Sequence, residues 1–342
     1  MEAAEHLSAE GARIVVAGAG SIGCFVGGML AAGGRDVTLL CRPRIADELS
    51  ANGLRLTDLG GGSKRLDPDA LKLATDPSAL SAADLVFVTV KSGGTAEMAE
   101  AIAANCAPGT AVLSLQNGVS NVRVLRTALP DMTVLGGIVE YNVLHKGGGH
   151  FHRGTSGRIV IEAGRDDLLT LMRVPGLDIA ATADIAAVQW GKLLVNLNNA
   201  LNALSGLPLR TQLQQREWRR LLADQTEEAL RAVSAAWIKP APSPVPPRYV
   251  PAILRLPDAL FRLVAARMLR VDPEARSSMW EDLTRGRKTE IDYLQGEIIA
   301  LGQRHGVETP LCAAIAGLVR RAEAAGAGSP ELTPQQVRAA AP

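Results

Sequence analysis

The segment VQWGKLLVNLNNALNALSG, residues 188–206, is apolar enough for a core helix yet carries Lys192, Asn196, Asn198, Asn199 and Asn202. At about 100° per residue, Lys192, Asn196 and Asn199 fall within an arc of roughly 60° on one helix face. A lysine among amides is a proton donor set between hydrogen-bonding groups, suited to an oxyanion on which charge is developing. The bland alternative is a stripe that caps loops or faces water, although surface stripes usually mix in Glu, Arg or Gln. Further along, SSMWEDLTRGRKTEIDYLQGE adds Ser278 and Glu290. Ser278 with Glu281, and Thr289 with Asp292, have the spacing of capping boxes, so both residues also have a purely structural reading as an N-cap and a first-turn acid.

A second chemistry lies near the start. In ARIVVAGAGSIGCFVGGML, Gly18, Gly20 and Gly23 form G-x-G-x-x-G between a predicted strand and a predicted helix. Gly18 permits a tight turn, Gly20 lets the backbone approach a pyrophosphate, and Gly23 allows close packing of helix on strand. Ser21 and Ile22 then sit where first-turn amides meet the phosphates. The second strand ends in DVTLLCRPR, with Arg42 and Arg44 and no acid. An acid there would accept the ribose 2′-hydroxyl of NAD, whereas a guanidinium pairs a 2′-phosphate, so the pattern favours NADP over two merely solvated arginines. VTVKSGG places Lys91, and SLQNGVSN places Asn117 and Gly118, at the ends of later strands. Asn-Gly is also a common turn dipeptide.

These groups need elements to position them. Strand-like runs at Arg13 to Ala17, Val37 to Cys41, Leu85 to Val90, Ala111 to Leu115 and Thr133 to Val139 alternate with helical stretches, the rhythm of βαβ units. Two runs around KGGGHFHRGTSG read as antiparallel strands on the far edge of the sheet, and Leu177 to Ala181 closes the domain. After about Thr182 the helical period takes over, at Ala183 to Leu204, Gln212 to Trp237, Asp258 to Leu269, Ser278 to Leu283 and Glu290 to His305. The expectation is an α/β chain, with an N-terminal Rossmann-type doubly wound sheet over residues 1–181 and an all-helical domain over 182–342. Within the latter, a proline-rich loop occupies about 239–257 and a frayed tail about 323–342.

Composition agrees with this division. The chain has 342 residues, 47% apolar and 21% charged, and a single core stops growing near ~250 to 300 residues, so two domains are expected. Thirty-six basic residues against 35 acidic leave +1, too little field to gather a polyanion, which argues against nucleic acid as a partner. No apolar run reaches the roughly 18 residues of a membrane span, and the start lacks a basic leader, so no membrane partner and a cytoplasmic location are expected. Cys24, Cys41, Cys106 and Cys312 form no CxxC pair, as suits a reducing compartment. His145, His150 and His152 cluster without carboxylate or thiol partners at ligand spacing, so no metal is expected.

Taken together, GAGSIG at the start, VKS at Lys91, QNG at Asn117, WGKLLVN from Trp190 to Asn196, and SSM followed by TEIDYLQG resemble the ketopantoate reductase family, the NADPH-dependent 2-dehydropantoate 2-reductases. The motifs occur in the family's order over nearly the whole chain. The resemblance implies a cytoplasmic enzyme of pantothenate biosynthesis that reduces a small 2-oxo acid. It implies that Lys192 is the general acid, supported electrostatically by Glu290. Asn117 and Asn196 would hold cofactor and substrate groups near the reacting carbon, Lys91 would sit by the cofactor, and Ser278 would bind the substrate carboxylate. Many members carry another asparagine eight residues after the lysine; here that position is Ala200, with Asn198 and Asn199 just before it, and Asn199 is the candidate substitute. The proline-rich stretch adds length before the SSM motif. A reductase of another 2-oxo acid or carbonyl compound, or a non-catalytic NADP-sensing protein, are the alternatives; a sensor needs neither Lys192 nor Glu290. A homodimer remains open as the assembly.

Overall fold

Apolar runs that are continuous rather than alternating suit a parallel sheet covered on both faces. A computed structural model describes residues 7, 11–242, 245–266 and 274–341. The first compact unit, Met1–Ile185, holds strands β1 (Arg13–Ala17), β2 (Asp36–Leu40), β3 (Leu54–Asp58), β4 (Ser63–Leu66), β5 (Lys72–Ala74), β6 (Leu85–Val88), β7 (Ala111–Ser114), β8 (Thr133–Val139), β9 (Val143–Gly147), β10 (His150–Arg153), β11 (Ile159–Glu162) and β12 (Ile179–Thr182). Its helices are α1 (Ser21–Ala32), α2 (Pro43–Asn52), α3 (Thr95–Asn105), α4 (Asn121–Ala128) and α5 (Asp166–Met172). The main sheet runs β12-β11-β8-β7-β6-β1-β2-β5. Within it, β5, β2, β1, β6, β7 and β8 pair parallel. The winding reverses at β1, which has β2 on one side and β6 on the other, and this switch point opens a crevice at the strands' carboxyl ends.

Strand β1 feeds two cores. Ile14 and Val16 of β1 join the core shared with α1, while Val15 and Ala17 join the core under α3 and α4. The outer face of α1 is covered by a second sheet, ordered β4-β3-β10-β9. A methyl group at Gly28 would lie 2.4 Å from the Leu54 side chain, so only glycine lets α1 seat against β3. This second sheet corrects the expected placement of the 140–163 strands. Only β11 joins the main sheet, antiparallel to β8. The β9–β10 hairpin, closed by Gly147, Gly148 and Gly149 at positive φ, pairs instead with β3, a strand that the sequence reading had not marked. Period-2 alternation says that a segment is extended but not which edge it will find.

The second compact unit, Ala186–Pro342, is helical: α6 (Ile185–Asn196), α7 (Asn198–Ser205), α8 (Leu209–Gln214), α9 (Arg216–Ala235), α10 (Val250–Arg255), α11 (Asp258–Val264), α12 (Ser278–Thr284), α13 (Ile291–His305), α14 (Pro310–Ala325) and α15 (Pro334–Ala339). Two expected helices are broken. The first is interrupted at Leu197, whose carbonyl accepts the side-chain amides of Gln225 and Gln295. The second is interrupted at Gln215, between α8 and α9. Helix α14 was not foreseen. Its first turn is bound by the buried Glu228 of α9, whose carboxylate accepts the Leu311 and Cys312 N–H groups at 2.9 Å each, a cap supplied from far along the chain.

The proline-rich stretch is more ordered than a loop. Pro247 and Pro251 occupy first-turn positions of a short 3-10 turn and of α10, where a missing N–H costs nothing. Arg219, fully buried, fastens this region by bonding the Leu254 and Leu256 carbonyls and Asp258 while lying over the Phe261 ring. The expected helix to Leu269 is observed as α11, ending at Val264; residues 267–269 lie outside the described ones. The tail is not frayed either. Thr333 and Gln336 form a capping box on α15, Val337 is fully buried, Leu332 N–H bonds the Leu204 carbonyl, and Arg338 pairs with Asp224 at 2.6 Å. One buried valine and a cap suffice to dock a segment too poor in large apolar residues to announce itself.

Candidate active site

The glycine loop follows directly from β1. Gly18 has φ +84°, a conformation that costs a side-chain-bearing residue about 1 to 2 kcal/mol. A methyl group there would also lie 2.2 Å from the Val90 side chain, so the chain after β6 passes hard against the turn. The Gly18 and Ala19 N–H groups bond the Leu40 carbonyl at the end of β2. Thr89 donates its hydroxyl to the Gly18 carbonyl at 3.0 Å. Gly23 packs on the same threonine, 2.5 Å from its oxygen to an added methyl. Gly20 differs: a methyl there would find nothing nearer than the Gly18 carbonyl, at 3.9 Å. It fronts an open space.

That space suits an anion. Gly20 is the N-cap of α1 with no side-chain cap, and the first turn holds no acid. The first-turn N–H groups of Ser21, Ile22 and Gly23, at the positive end of a twelve-residue helix, thus meet no capping side chain and no first-turn acid that would compete with an anion. Two neighbouring thiols add no charge. Burial pushes the Cys24 thiol well up and Cys41 to about 11. At the end of β2, Arg42 is the exposed N-cap of α2. Arg44, also exposed, leans on Glu48 at 3.8 Å. Burial acts to raise the Glu48 carboxyl, but the Gly149 N–H, His145 and Arg44 outweigh it and hold it below its usual range. Arg42 is thus the freer of the two guanidiniums, and the nearest acid on β2, Asp36, sits at the strand's other end, paired with Lys72.

On the far side of the switch point, Lys91 is exposed just after β6 and Asn117 half-buried just after β7. Their loops are fastened together by side chains that the sequence reading passed over: Ser92, Thr95, Gln116 and Asn121, all buried. Ser92 and Gln116 stand beside Lys91 and Asn117 in VKS and QNG, whereas Thr95 and Asn121 carry no signal beyond following an apolar strand.

In the helical unit, Lys192 is half-buried and Asn196 buried near the end of α6, while Asn199, half-buried, lies in α7 beyond the interruption. The other amides of the stripe are structural. Asn198 and Asn202 both bond Gln212. Asn202 also accepts the Ser277 N–H at 2.8 Å. The N-cap of α12 is Ser277, not Ser278: its hydroxyl oxygen accepts the Trp280 N–H and its proton goes to the Asn199 carbonyl. Ser278 is left exposed at the first helical position. Glu290 is itself the N-cap residue of α13 without a capping side chain, since Thr289 bonds the Ile291 N–H instead. Gln295, one turn into α13, holds the carbonyl next to Asn196, so the ends of α6 and α13 are tied. Among the described residues no group of His, Cys, Asp or Glu is placed to hold a metal. His150 and His152 both bond the Thr57 hydroxyl, at 2.8 and 2.7 Å. No helix among the described residues is long and apolar enough to cross a membrane.

A Rossmann-type unit with a glycine-rich turn at a helix N-terminus, followed by an all-helical unit, is the architecture of a class of nicotinamide-dependent oxidoreductases. Comparison with known proteins narrows the class. Residues 14–166 match the family description "Ketopantoate reductase PanE/ApbA", and residues 184–323 match its C-terminal counterpart. The 2-dehydropantoate 2-reductase of Halobacterium salinarum is 32% identical over 92% of this chain and 100% of its own. A PanE/ApbA family ketopantoate reductase from Ralstonia eutropha JMP134 superposes with a TM-score of 0.78 at 30% identity, covering 92% of this chain and 99% of that one. D-mandelate dehydrogenase, solved with NADH and anilino(oxo)acetate, shares the fold at 22% identity and a TM-score of 0.73, covering 92% and 99%. This chain belongs to the ketopantoate reductase family and is an oxidoreductase acting on CH–OH groups.

Proposed function

We propose that the enzyme reduces a small branched 2-oxo acid, 2-dehydropantoate first among them, using NADPH. The observation that carries the cofactor half is the open space at Gly20 before the acid-free first turn of α1, with Arg42 exposed just after the neighbouring strand β2. The substrate half is supported by the likeness to the Halobacterium salinarum reductase. When bound, NADPH supplies a hydride to the keto carbon. Ser21, Ile22 and Gly23 hold the pyrophosphate through their N–H groups, Arg42 pairs the 2′-phosphate, and Lys91 and Asn117 flank the nicotinamide half. Lys192 donates its Nζ proton to the oxygen on which negative charge develops, and Glu290 offsets the cost of keeping an ammonium partly desolvated. Asn196 orients the carbonyl oxygen, Asn199 assists at the substrate, and the exposed hydroxyl of Ser278 donates to the carboxylate. A second reading, in which another 2-oxo acid is the better substrate, is favoured by Ala200 and by the ordered α10 and α11 region.

NADPH oxidation across a panel of 2-oxo acids, run on the unmodified enzyme and on Lys192→Ala, tests this. The expected result is the highest kcat/KM for 2-dehydropantoate and a kcat lowered roughly 10²- to 10⁴-fold in the variant, with NADPH still bound. Lys192→Arg is expected not to restore it, since guanidinium is a poor proton donor near neutrality. Absence of turnover with every 2-oxo acid would overturn the substrate class, and near-normal kcat in Lys192→Ala would overturn the role of the lysine.

A further inference from the structure

Seven hydrogen bonds form one network around the loops after β6 and β7, and five of them pass from one loop to the other. Ser114 donates to Gln116 Oε1 at 3.0 Å. Gln116 Nε2 donates to the Val90 carbonyl at 3.0 Å and to Thr95 Oγ1 at 2.7 Å. Thr95 donates to Asn121 Oδ1 at 2.8 Å. Asn121 Nδ2 donates to Ser92 Oγ at 3.0 Å and to the Asn117 carbonyl at 2.6 Å, and Ser92 donates to that same carbonyl at 3.1 Å. Each of these side-chain protons has an acceptor, and the five side chains are 1 to 4% exposed. A buried polar network so satisfied holds one geometry, because any slippage strands donors away from water. It also lies where the second half of a dinucleotide must go. With the pyrophosphate at the turn after β1 and the adenosine toward β2, the nicotinamide half extends over β6 and β7, the strands on the other side of the switch point.

We infer that the Ser92, Thr95, Gln116 and Asn121 network positions the nicotinamide half of the cofactor, by fixing the backbone from Val90 to Ser92 and at Asn117. These are positioning residues that act through the two loops. The inference rests on the dinucleotide reading above and adds to it a division of labour: the glycine loop and Arg42 grip the adenosine half and the pyrophosphate, and the network governs the rest.

The test compares two ligands. NADPH carries both halves, whereas 2′,5′-ADP carries only the adenosine half with its phosphates. Thr95→Val removes the hydroxyl that joins Gln116 to Asn121 at nearly constant volume. The expected result is NADPH binding weakened about tenfold, read by its fluorescence, with 2′,5′-ADP affinity, read by calorimetry, within twofold of the unmodified enzyme. Thr95→Ser, which restores the hydroxyl, is expected to recover most of the loss. Ser92→Ala, which removes one donor to Asn117, is expected to show the same NADPH-only weakening to a smaller degree, and it stands as the test should Thr95→Val fail to fold. Equal weakening of both ligands, or unchanged NADPH affinity in either folded variant, would overturn the inference and leave the network structural. An unmodified enzyme that bound neither ligand would instead overturn the dinucleotide reading itself.

Discussion

Replacing the glycines of the first turn one at a time separates the fold's demands from those of the ligand. At Gly18 an alanine must adopt φ +84° and place its methyl 2.9 Å from the Val90 backbone nitrogen as well as 2.2 Å from that residue's side chain. Left-handed backbone costs about 1 to 2 kcal/mol, and overpacking against a backbone that cannot rotate away adds about 1 to 3 kcal/mol. At roughly 2 to 4 °C per kcal/mol for a domain of this size, Gly18→Ala is expected to lower Tm by about 5 to 20 °C. Gly20→Ala meets nothing closer than 3.9 Å, and its backbone, φ −94° and ψ −147°, lies just past the extended region. It is expected to cost about 1 kcal/mol. Its methyl instead fills the place where a phosphate approaches the first-turn amides. Losing one charge-assisted hydrogen bond there is worth about 1.5 to 3 kcal/mol, or roughly 10- to 150-fold in affinity. The assay is thermal unfolding in parallel with fluorescence titration of NADPH. Gly20→Ala binding NADPH like the unmodified protein, or Gly18→Ala melting within about 2 °C of it, would refute the assignment of these two glycines.

Four other outcomes follow from the same geometry. Arg42→Asp is expected to erode a preference for NADPH over NADH by roughly 10- to 100-fold in kcat/KM, the scale of one guanidinium–phosphate contact; equal kcat/KM for the two cofactors in the unmodified enzyme would remove the basis for it. Ser277→Ala, which loses an N-cap and the hydroxyl's bond to the Asn199 carbonyl, should cost about 1 to 2 kcal/mol with little change in KM, whereas Ser278→Ala should raise KM for the oxo acid at unchanged Tm. Glu228→Gln leaves one of two buried N–H groups of α14 without its acceptor and removes a charge from the helix's positive end, so chemical denaturation should register a loss of about 2 to 4 kcal/mol. Arg165 and the Leu7 N–H hold the Asp167 carboxyl far below its usual range against the opposing effect of burial. Its stabilisation is present above about pH 4 and lost as the pH falls through the folded value. Asp167→Asn should therefore lower stability by about 2 kcal/mol at neutral pH and flatten the acid side of the profile; an unchanged acid limb would count against the pair.

Much of the candidate site was legible because it is local. An apolar strand, three glycines at fixed offsets and a helix lie within twenty residues, and backbone sterics alone give Gly18 and Gly20 distinct tasks. Arg42 was legible for the same reason, being the residue just beyond the next strand. The lysine and asparagine of α6 follow from helical period, although the break at Leu197 does not, since it depends on Gln225 and Gln295 reaching one carbonyl from two other helices.

What the sequence by itself determined, then, is whatever neighbouring residues decide among themselves: the βαβ rhythm, the glycine turn, the change to helical period after residue 182. Only the tertiary structure decided which edge the β9–β10 hairpin would join, that Glu228 caps a helix 83 residues away, that Ser277 rather than Ser278 caps α12, and that the tail docks. The physical reason is the same each time. A buried N–H or carbonyl must find a partner, many side chains can supply one, and which of them does so is settled by packing between segments far apart in the chain.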